Sequence, residues 1–264
     1  MTVALDMPPM PTALGSFALI QAGEGLVGSD RRVRAWDGSD YAEYPANGPP
    51  RPVRIPRPFL MGCATVTVAA FREVCPDTFQ AAPPVFALPA SGNVNDRWHV
   101  QPFPEVNQQD DHPVVGVSWR DAVTFCERLR RRHGLAARLP TDDEWEYAAR
   151  AGARSVYGWG DDPRGSLAFA WTKRNSKMKV HPIAQLAPNA WGLHDTAGNV
   201  WEWCADTFHG PRGGAIPRRS IRGGAAFNDP TAVRASHRWG QDPDQRNTFL
   251  GFRVLIDLAS PGRV

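Results

Sequence analysis

The chain has 264 residues, a mass of 29.0 kDa and a formal net charge of +3 at pH 7. That length allows one large irregular domain or two small ones, and so small a charge argues against nucleic-acid binding, which usually needs a clustered basic face. No stretch approaches the ~18 apolar residues that cross a membrane, and residues 1–11 lack the basic region and apolar core of a signal peptide. We therefore expect a cytoplasmic protein without membrane insertion, while export by another route stays open.

The first predicted elements are short and separated by irregular segments. Residues 17–28, FALIQAGEGLVG, predict a hairpin with Ala-Gly-Glu-Gly as its turn. Residues 65–74 predict a short helix capped by Thr65. The regions 29–58 and 76–111 are rich in Pro, Gly, Asp and Asn, and both are predicted to be surface insertions.

Two longer helices are predicted in the middle of the chain. The first covers Ser118–His133, where Asp121 completes a capping-box-like start and Gly134 ends the helix. Its apolar residues repeat at helical spacing and predict one buried stripe: Ala122, Phe125, Cys126 and Leu129. The second begins after Thr141, the predicted N-cap. Glu144, at the third helical position, can accept the backbone N–H of Thr141 and complete a capping box.

The four cysteines, Cys63, Cys75, Cys126 and Cys204, are too few and too scattered for a disulfide framework in a chain of this length. Cys126 and Cys204 are predicted to be buried thiols, because free cysteine is among the most buried residue types. Cys63 and Cys75 could pair, although nothing in the sequence requires it.

Four blocks of sequence stand out: HPVVGVSWRDAVTFC (112–126), RLPTDDEWEYAARAG (138–152), NAWGLHDTAGNVWEWCAD (189–206) and RGG…RASHRW…RNTFLGFRV (222–254). In this order they resemble the formylglycine-generating enzyme (sulfatase-modifying factor) family. The resemblance implies an α+β fold of the C-type-lectin kind, irregular and loop-rich, with two main helices and short antiparallel strands. It implies one domain, residues 17–258, after an N-terminal extension, residues 1–16.

The resemblance also implies one calcium site, in the third block. Calcium takes hard oxygens from carboxylates and backbone carbonyls together. At the positions that match the family's site, Asp195 and Glu202 would supply side-chain oxygens, and Gly198 and Val200 would supply carbonyls. The alternative is that the two carboxylates only accept hydrogen bonds from amides of the loop.

Copper is not expected. Family enzymes that oxidise a substrate cysteine carry two cysteines soon after the Gly-Gly pair, and soft thiolates of this kind bind copper(I). Here Gly223 and Gly224 are followed by AAFNDPT, and no cysteine occurs from residue 205 onward. Ser236 and His237 are adjacent, but no acid is obviously placed to orient them as a hydrolytic set. No catalytic residue is predicted.

The block 222–254 has the composition of a binding surface on a scaffold. Its arginines and its Asp and Asn side chains can pin irregular backbone through bidentate and side-chain-to-backbone hydrogen bonds. The intervening residues are predicted to bind a ligand: Ala225, Ala226, Phe227, His237, Trp239, Gly240, Gln241, Thr248 and Phe249. Aromatic residues such as Trp239 are common recognition anchors, and the alternative is that Phe227, Trp239 and Phe249 belong to the core.

This pattern resembles a non-catalytic branch of the same fold, the variable proteins of diversity-generating retroelements, whose C-terminal segment is rewritten at scattered positions of a fixed scaffold. The resemblance predicts that the 222–254 surface binds an unknown protein or small-molecule ligand. Two alternatives stay open: a non-copper enzyme of the superfamily, such as a metal-dependent tailoring oxidase, and a structural or signalling module. A bound redox metal or an enclosed polar pocket would indicate the enzyme, whereas one stoichiometric protein partner would indicate the module.

Overall fold

The computed structural model describes residues 10–31, 33–36, 41–44, 49–78, 109–209 and 217–258. The strands in these ranges are β1 Phe17–Ile20, β2 Gly23–Val27, β3 Val33–Trp36, β4 Tyr41–Tyr44, β5 Arg51–Ile55, β6 Phe59–Gly62, β7 Ala137–Arg138, β8 Trp201–Thr207, β9 Arg219–Arg222, β10 Arg238–Gln241, β11 Leu250–Phe252 and β12 Leu255–Asp257. The helices are α1 Val68–Val74, α2 Trp119–His133, α3 Asp142–Arg150 and α4 Ser166–Phe169. This is the predicted α+β class, with α2 and α3 as its two main helices.

Most of the described strands belong to two four-stranded sheets. One has the order β1-β6-β12-β7 and the other has the order β10-β9-β8-β11, while β2 pairs with β5 and β3 with β4. The described pairs are antiparallel as predicted, except that β8 and β11 are parallel. A parallel pair needs a long crossover connection, and here the chain between the two strands also supplies β9 and β10.

The predicted start and end of helix α2 are confirmed. Ser118 Oγ accepts the Asp121 amide at 3.2 Å, and Asp121 Oδ2 accepts the Ser118 amide at 2.7 Å. Gly134 closes the helix in the left-handed conformation, with φ 66°. The predicted stripe of Ala122, Phe125, Cys126 and Leu129 is buried. All these interactions are local, so the sequence was sufficient to predict them.

The helix α3 begins with the predicted capping box between Thr141 and Glu144. Unlike α2, it is buried on most of its surface, and the buried set includes the charged residues Asp142, Glu146 and Arg150. Buried charges are tolerated only when they are paired and hydrogen-bonded. The helix therefore depends on partners from other parts of the chain.

The hairpin predicted for residues 17–28 is wrong. β1 pairs with β6 and β2 pairs with β5, so these neighbouring strands belong to different ladders. The glycines interpreted as a turn lie inside β2 because an aromatic ring packs on that strand. A Cβ added to Gly25 would lie 2.8 Å from Cδ2 of Tyr147. Glycine within a strand often marks such a close approach.

The region 29–58 is not a surface insertion throughout. Its last part forms β5, which pairs with β2 and buries Val53 and Ile55. Apolar side chains that alternate along a paired strand belong to the packed interior. Of the second predicted insertion, residues 79–108 lie outside the described residues.

Helix α1 begins later than predicted, because Thr67 caps it instead of Thr65: Thr67 Oγ1 accepts the Ala70 amide at 3.2 Å. Its Phe71 stacks on Phe125 of α2, with ring centroids 5.6 Å apart. Phe252 of β11 meets Phe125 edge-on at 5.2 Å. The main core thus joins α1, α2 and the C-terminal strands. Across the described ranges, no helix combines the length and apolar character needed to cross a membrane.

Candidate functional site in the 222–254 segment

A buried arginine fixes the start of the segment to α3. Arg222 is 1% exposed, and its Nε donates to Asp142 Oδ1 at 2.6 Å while its Nη2 donates to Glu146 Oε2 at 2.8 Å. Arg150 holds the other Glu146 oxygen at 2.8 Å, and Arg238 holds Asp142 Oδ2 at 2.9 Å. Two carboxylates and three guanidinium groups therefore form one network, in which each buried acid has a charged partner.

The network keeps Asp142 ionised. Burial alone would raise the pKa of this carboxyl group, but the charge of Arg222 and hydrogen bonds from Ser220 and Arg238 lower the pKa to about 2. A carboxylate with so low a pKa is a poor proton carrier at neutral pH. The arrangement indicates a structural role for Asp142.

A second arginine fixes the end of the segment. Arg253 is fully buried and binds Glu202 of β8 through two parallel hydrogen bonds, Nη2 to Oε1 at 2.8 Å and Nε to Oε2 at 3.0 Å. Trp145 of α3 donates its indole N–H to Glu202 Oε2 at 2.7 Å. The two arginines thus attach both ends of the segment to α3 and β8, as the scaffold interpretation predicts.

Most of the nine residues predicted to bind a ligand lie inside the protein. The buried ones are Ala225, Ala226, Gly240, Gln241, Thr248 and Phe249. Phe227 and His237 are half-buried, and Trp239 is 48% exposed. The predicted surface is therefore too large, and only Phe227, His237 and Trp239 present a substantial side chain to the outside.

The buried members are interior because the turn after Gly224 folds back on the core. The Ala225 amide donates to Asn228 Oδ1 at 2.7 Å, and the Ala226 carbonyl accepts from Ser176 Oγ at 2.7 Å. Gly224 has φ 74°, and a Cβ there would lie 2.8 Å from Val233. The stretch that carries the copper-binding cysteines in family enzymes is here packed with small apolar residues.

Three aromatic side chains of the segment keep exposed surface, and each rests on a different neighbour. Phe227 packs edge-on against Phe249, with centroids 4.9 Å apart, so the alternative of core membership is correct for Phe249. His237 packs edge-on against Trp201 at 5.3 Å. Trp239 lies on β10, an edge strand of its sheet. Aromatic side chains on a rigid backbone suit ligand recognition.

Phe208 packs on β10 at Gly240, on the side of the strand opposite Trp239, and was not predicted. A Cβ on Gly240 would lie 2.2 Å from Cδ1 of Phe208, so position 240 must be glycine while the ring stays there. The guanidinium of Arg238 lies 5.9 Å from the centroid of the same ring. Residue 208 follows β8 and residue 240 lies in β10, and no local pattern links positions so far apart.

The stability of the protein should depend on pH through His237. Desolvation lowers the pKa of this imidazole to about 4, with the charges of Arg234 and Arg222 acting in the same direction and the hydrogen bond to the Ala232 carbonyl opposing them. The unfolded state therefore takes up a proton first, so stability present above pH 6.5 is lost as the pH falls towards 4. We expect the free energy of unfolding to fall by about 3 kcal/mol over this pH range.

Urea unfolding at a series of pH values checks this, with His237→Asn as the control variant. The asparagine amide has an N–H at the position of Nδ1 that can donate to the Ala232 carbonyl, but it does not titrate. The difference in unfolding free energy between the two proteins should change across this pH range. Parallel curves for the two would contradict the prediction.

The two carboxylates of the predicted calcium site already accept hydrogen bonds within the protein. Both oxygens of Glu202 are held by Arg253 and Trp145. Asp195 Oδ2 accepts the Ala184 amide at 2.9 Å. Among the described residues, no group of three or more His, Cys, Asp or Glu side chains could hold a metal ion. The calcium site at Asp195, Gly198, Val200 and Glu202 therefore stays a prediction, with Glu202 paired to Arg253 in the structure.

The cysteines are separate free thiols. All four are unpaired with one another in the structure, Cys63 is half-buried and the other three are buried. Desolvation raises the pKa of Cys126 to about 12 and that of Cys204 well above its ordinary value. Thiols that stay protonated are poor metal ligands and nucleophiles. The predicted burial of Cys126 and Cys204 is confirmed.

Comparison with known proteins identifies the family to which this chain belongs. Over residues 4–258 the chain matches the sulfatase-modifying factor enzyme 1-like domain, and it belongs to that family. It is 34% identical to the formylglycine-generating enzyme of Streptomyces coelicolor, across 58% of this chain and 55% of that enzyme. It is 31% identical to the inactive C-alpha-formylglycine-generating enzyme 2 of Mus musculus, across 92% of this chain and 86% of that protein.

Solved structures show the same fold at lower sequence identity. PvdO from Pseudomonas aeruginosa is 22% identical, with a TM-score of 0.71 across 92% of this chain and 94% of that one. Treponema denticola variable protein 1 is 23% identical, with a TM-score of 0.68 across 92% of this chain and 96% of that one. The fold is thus shared with an enzyme family and with a variable protein, and fold alone does not decide between their functions.

Proposed function

We propose that this chain is a ligand-binding variable protein of a diversity-generating retroelement, with the exposed face of residues 222–254 as its binding surface. The proposal rests on a contrast within the segment, between buried arginines that fix the backbone and aromatic side chains that keep exposed surface. Arg222 and Arg253 hold the backbone through buried ion pairs, whereas Trp239 is 48% exposed and Phe227 and His237 keep part of their surface exposed. A surface of this kind can change its side chains without losing its shape.

The lack of a thiolate pair supports a binding function. No cysteine occurs after Cys204, so the copper chemistry of the family's enzymes has no ligands in this segment. The mouse relative that aligns with 92% of the chain is itself named inactive. The likeness in fold to Treponema denticola variable protein 1 agrees with the proposal.

The genome of the source organism provides the decisive test. The proposal expects a near-identical repeat of the DNA that encodes residues 222–254, differing at adenines and lying beside a reverse transcriptase gene. The differing codons should include those of Phe227, His237 and Trp239, and the codons of Arg222 and Arg253 should be unchanged. Absence of both the repeat and the reverse transcriptase would overturn the proposal.

A recognition residue should be dispensable for folding, which gives a test at the bench. Trp239 is 48% exposed, so Trp239→Ala should change the unfolding free energy by less than about 1 kcal/mol. Phe249 is 3% exposed, and Phe249→Ala should cost about 3 kcal/mol or more. Urea unfolding of both variants makes the comparison. Equal losses would place Trp239 in the core and remove it from the binding surface.

A non-copper enzyme of the superfamily is the second candidate, favoured by the 34% identity with the Streptomyces coelicolor protein that is named a formylglycine-generating enzyme. Such an enzyme needs a redox centre other than paired thiolates. Metal analysis of the purified protein separates the two candidates. A stoichiometric redox metal would support the enzyme, whereas calcium alone or no metal would support the binding protein.

A further inference from the structure

The strands β9 and β10 have one side that the buried arginine network does not use. Arg222 of β9 and Arg238 of β10 both bind Asp142 of α3, so they point to the α3 side of the sheet. Side chains alternate between the two faces of a strand. The side chains on the other face are therefore those of Arg219, Ile221, Trp239 and Gln241.

On this other face, Arg219 and Trp239 are diagonal neighbours. The ladder places Trp239 opposite Ile221, two residues along β9 from Arg219. Diagonal side chains of an antiparallel pair start about 7–8 Å apart, which long and aromatic side chains can span. Trp239 is 48% exposed and Arg219 is half-buried. Both side chains therefore reach the surface at the same place.

Arg219 is held in place by α2 and β8. Its guanidinium lies 3.9 Å from the centroid of the Trp119 ring, and its Nη1 donates to the Ala205 carbonyl at 2.9 Å. Trp119 donates its indole N–H to the Cys204 carbonyl at 2.9 Å. Two successive carbonyl groups of β8 thus fix the ring and the guanidinium. Side chains fixed in this way can bind a ligand without first being ordered.

The guanidinium of Arg219 has donors that the described residues do not use. An arginine carries five N–H donors, and within the described part of the chain only Nη1 donates and no ion pair forms. Asp206 of β8 accepts the Asp142 amide, and Asp244, which follows β10, pairs with Arg120. A planar carboxylate that accepts two N–H groups side by side would match the remaining donors.

We infer that Trp119, Arg219 and Trp239 form a binding patch for an acidic side chain of a protein partner, a Glu or Asp that lies beside an apolar residue. The carboxylate accepts from the Arg219 guanidinium, and the apolar residue packs on the exposed indole of Trp239. Tryptophan and arginine are enriched among the residues that carry the energy of protein interfaces. A chain terminus fits less well, because terminal carboxylates are captured by cradles of backbone N–H groups, and the donor here is a side chain.

The inference rests on the proposed function and deepens it, because it names the partner's chemistry at the Trp239 end of the surface. Trp119 and Arg219 lie outside residues 222–254, so a rewritten segment would keep them. The acidic contact is thus constant while the contacts of the segment change. The genome decides the proposed function, whereas a titration decides this inference.

Titration of the full chain with the blocked dipeptide acetyl-Phe-Glu-amide tests the inference, followed by nuclear magnetic resonance of the indole N–H signals. Saturable one-to-one binding in the millimolar range is expected, because only two side chains of the ligand make contact. The signal of Trp239, identified by its absence from Trp239→Ala, should move as the dipeptide is added. Acetyl-Phe-Gln-amide has the same shape without the charge and should bind at least about tenfold more weakly.

Three variants assign the contacts. Arg219→Gln should weaken binding of the Glu dipeptide at least about tenfold and remove its advantage over the Gln dipeptide. Trp239→Ala should weaken the binding of both dipeptides. Arg218→Gln is the matched control, because it removes the same charge from an exposed residue immediately before β9. This control should leave binding unchanged.

Three results would overturn the inference: no saturable binding, equal binding of the two dipeptides to the unmodified protein, or equal effects of Arg218→Gln and Arg219→Gln. If Arg219→Gln does not fold, the dipeptide pair and Trp239→Ala still decide the matter. A genome that contains the repeat and the reverse transcriptase, with a protein that binds neither dipeptide, would overturn this inference alone. Their absence from the genome would overturn the proposed function whatever the titration gives.

Discussion

Replacing Arg222 with methionine should lower the free energy of unfolding by about 3–5 kcal/mol, because it leaves buried charges without their partner. Asp142 and Glu146 are 7% and 2% exposed, and both bind the Arg222 guanidinium. After the substitution Glu146 keeps Arg150, and Asp142 keeps the Ser220 hydroxyl and Arg238, which lies nearer the surface. Urea or thermal unfolding of the purified variant measures the loss.

Two control variants separate charge from packing. Arg120→Met removes an exposed ion pair with Asp244 and should cost less than about 1 kcal/mol. Arg222→Lys retains the positive charge but not the planar fork that reaches two carboxylates, so it should be intermediate. A loss of less than about 1 kcal/mol for Arg222→Met would mean that the network does not hold the segment.

Of the single methyl groups that could be added to a glycine in the described part of the chain, the one of Gly198→Ala should be the most destabilising. We expect the free energy of unfolding to fall by more than about 4 kcal/mol, or the variant not to fold. A Cβ at this position would lie 2.1 Å from the Trp171 carbonyl oxygen. The Gly198 amide also donates to the Gly223 carbonyl at 2.9 Å. The substitution would therefore push the 195–200 loop away from the base of the 222–254 segment.

Gly134→Ala provides the matched control for backbone strain. Gly134 has φ 66° and Gly198 has φ 77°, but nothing lies within 4 Å of a Cβ at residue 134. The control should therefore show only the conformational cost of about 1–2 kcal/mol. Soluble expression and thermal unfolding compare the two. Equal effects would show that the close contact with Trp171 is relaxed at no cost.

The helices could be predicted from the sequence, and the strand partners could not. The capping boxes of α2 and α3 involve residues three apart, so each is visible in a few letters of sequence. β2 pairs with β5, more than twenty residues further along the chain, and the glycines at its start pack against Tyr147 of α3. In sequence, a glycine-rich strand cannot be told from a glycine-rich turn. The difference here is the Tyr147 ring that packs on β2, and only the structure shows it.

The anchored backbone of the 222–254 segment was predictable, but the exposure of its side chains was not. The spacing of arginines and Gly-Gly in 222–254 indicated a scaffold, and the buried pairs of Arg222 and Arg253 agree with it. Exposure within the segment depends on what packs from elsewhere. Phe249 is covered by the main core, and Gly240 is covered by Phe208, whereas Trp239 on an edge strand is left open.

By itself, the sequence determined the family, the capped helices and the lack of cysteine ligands for copper, since each depends on residue identity or on neighbours along the chain. The tertiary structure decided which carboxylates and which aromatic rings of the predicted sites are buried. Glu202 pairs with Arg253, and Trp239 is left exposed on an edge strand while Phe249 is buried. Burial and charge pairing depend on contacts between distant residues, so only the folded chain shows which side chains of the segment are exposed.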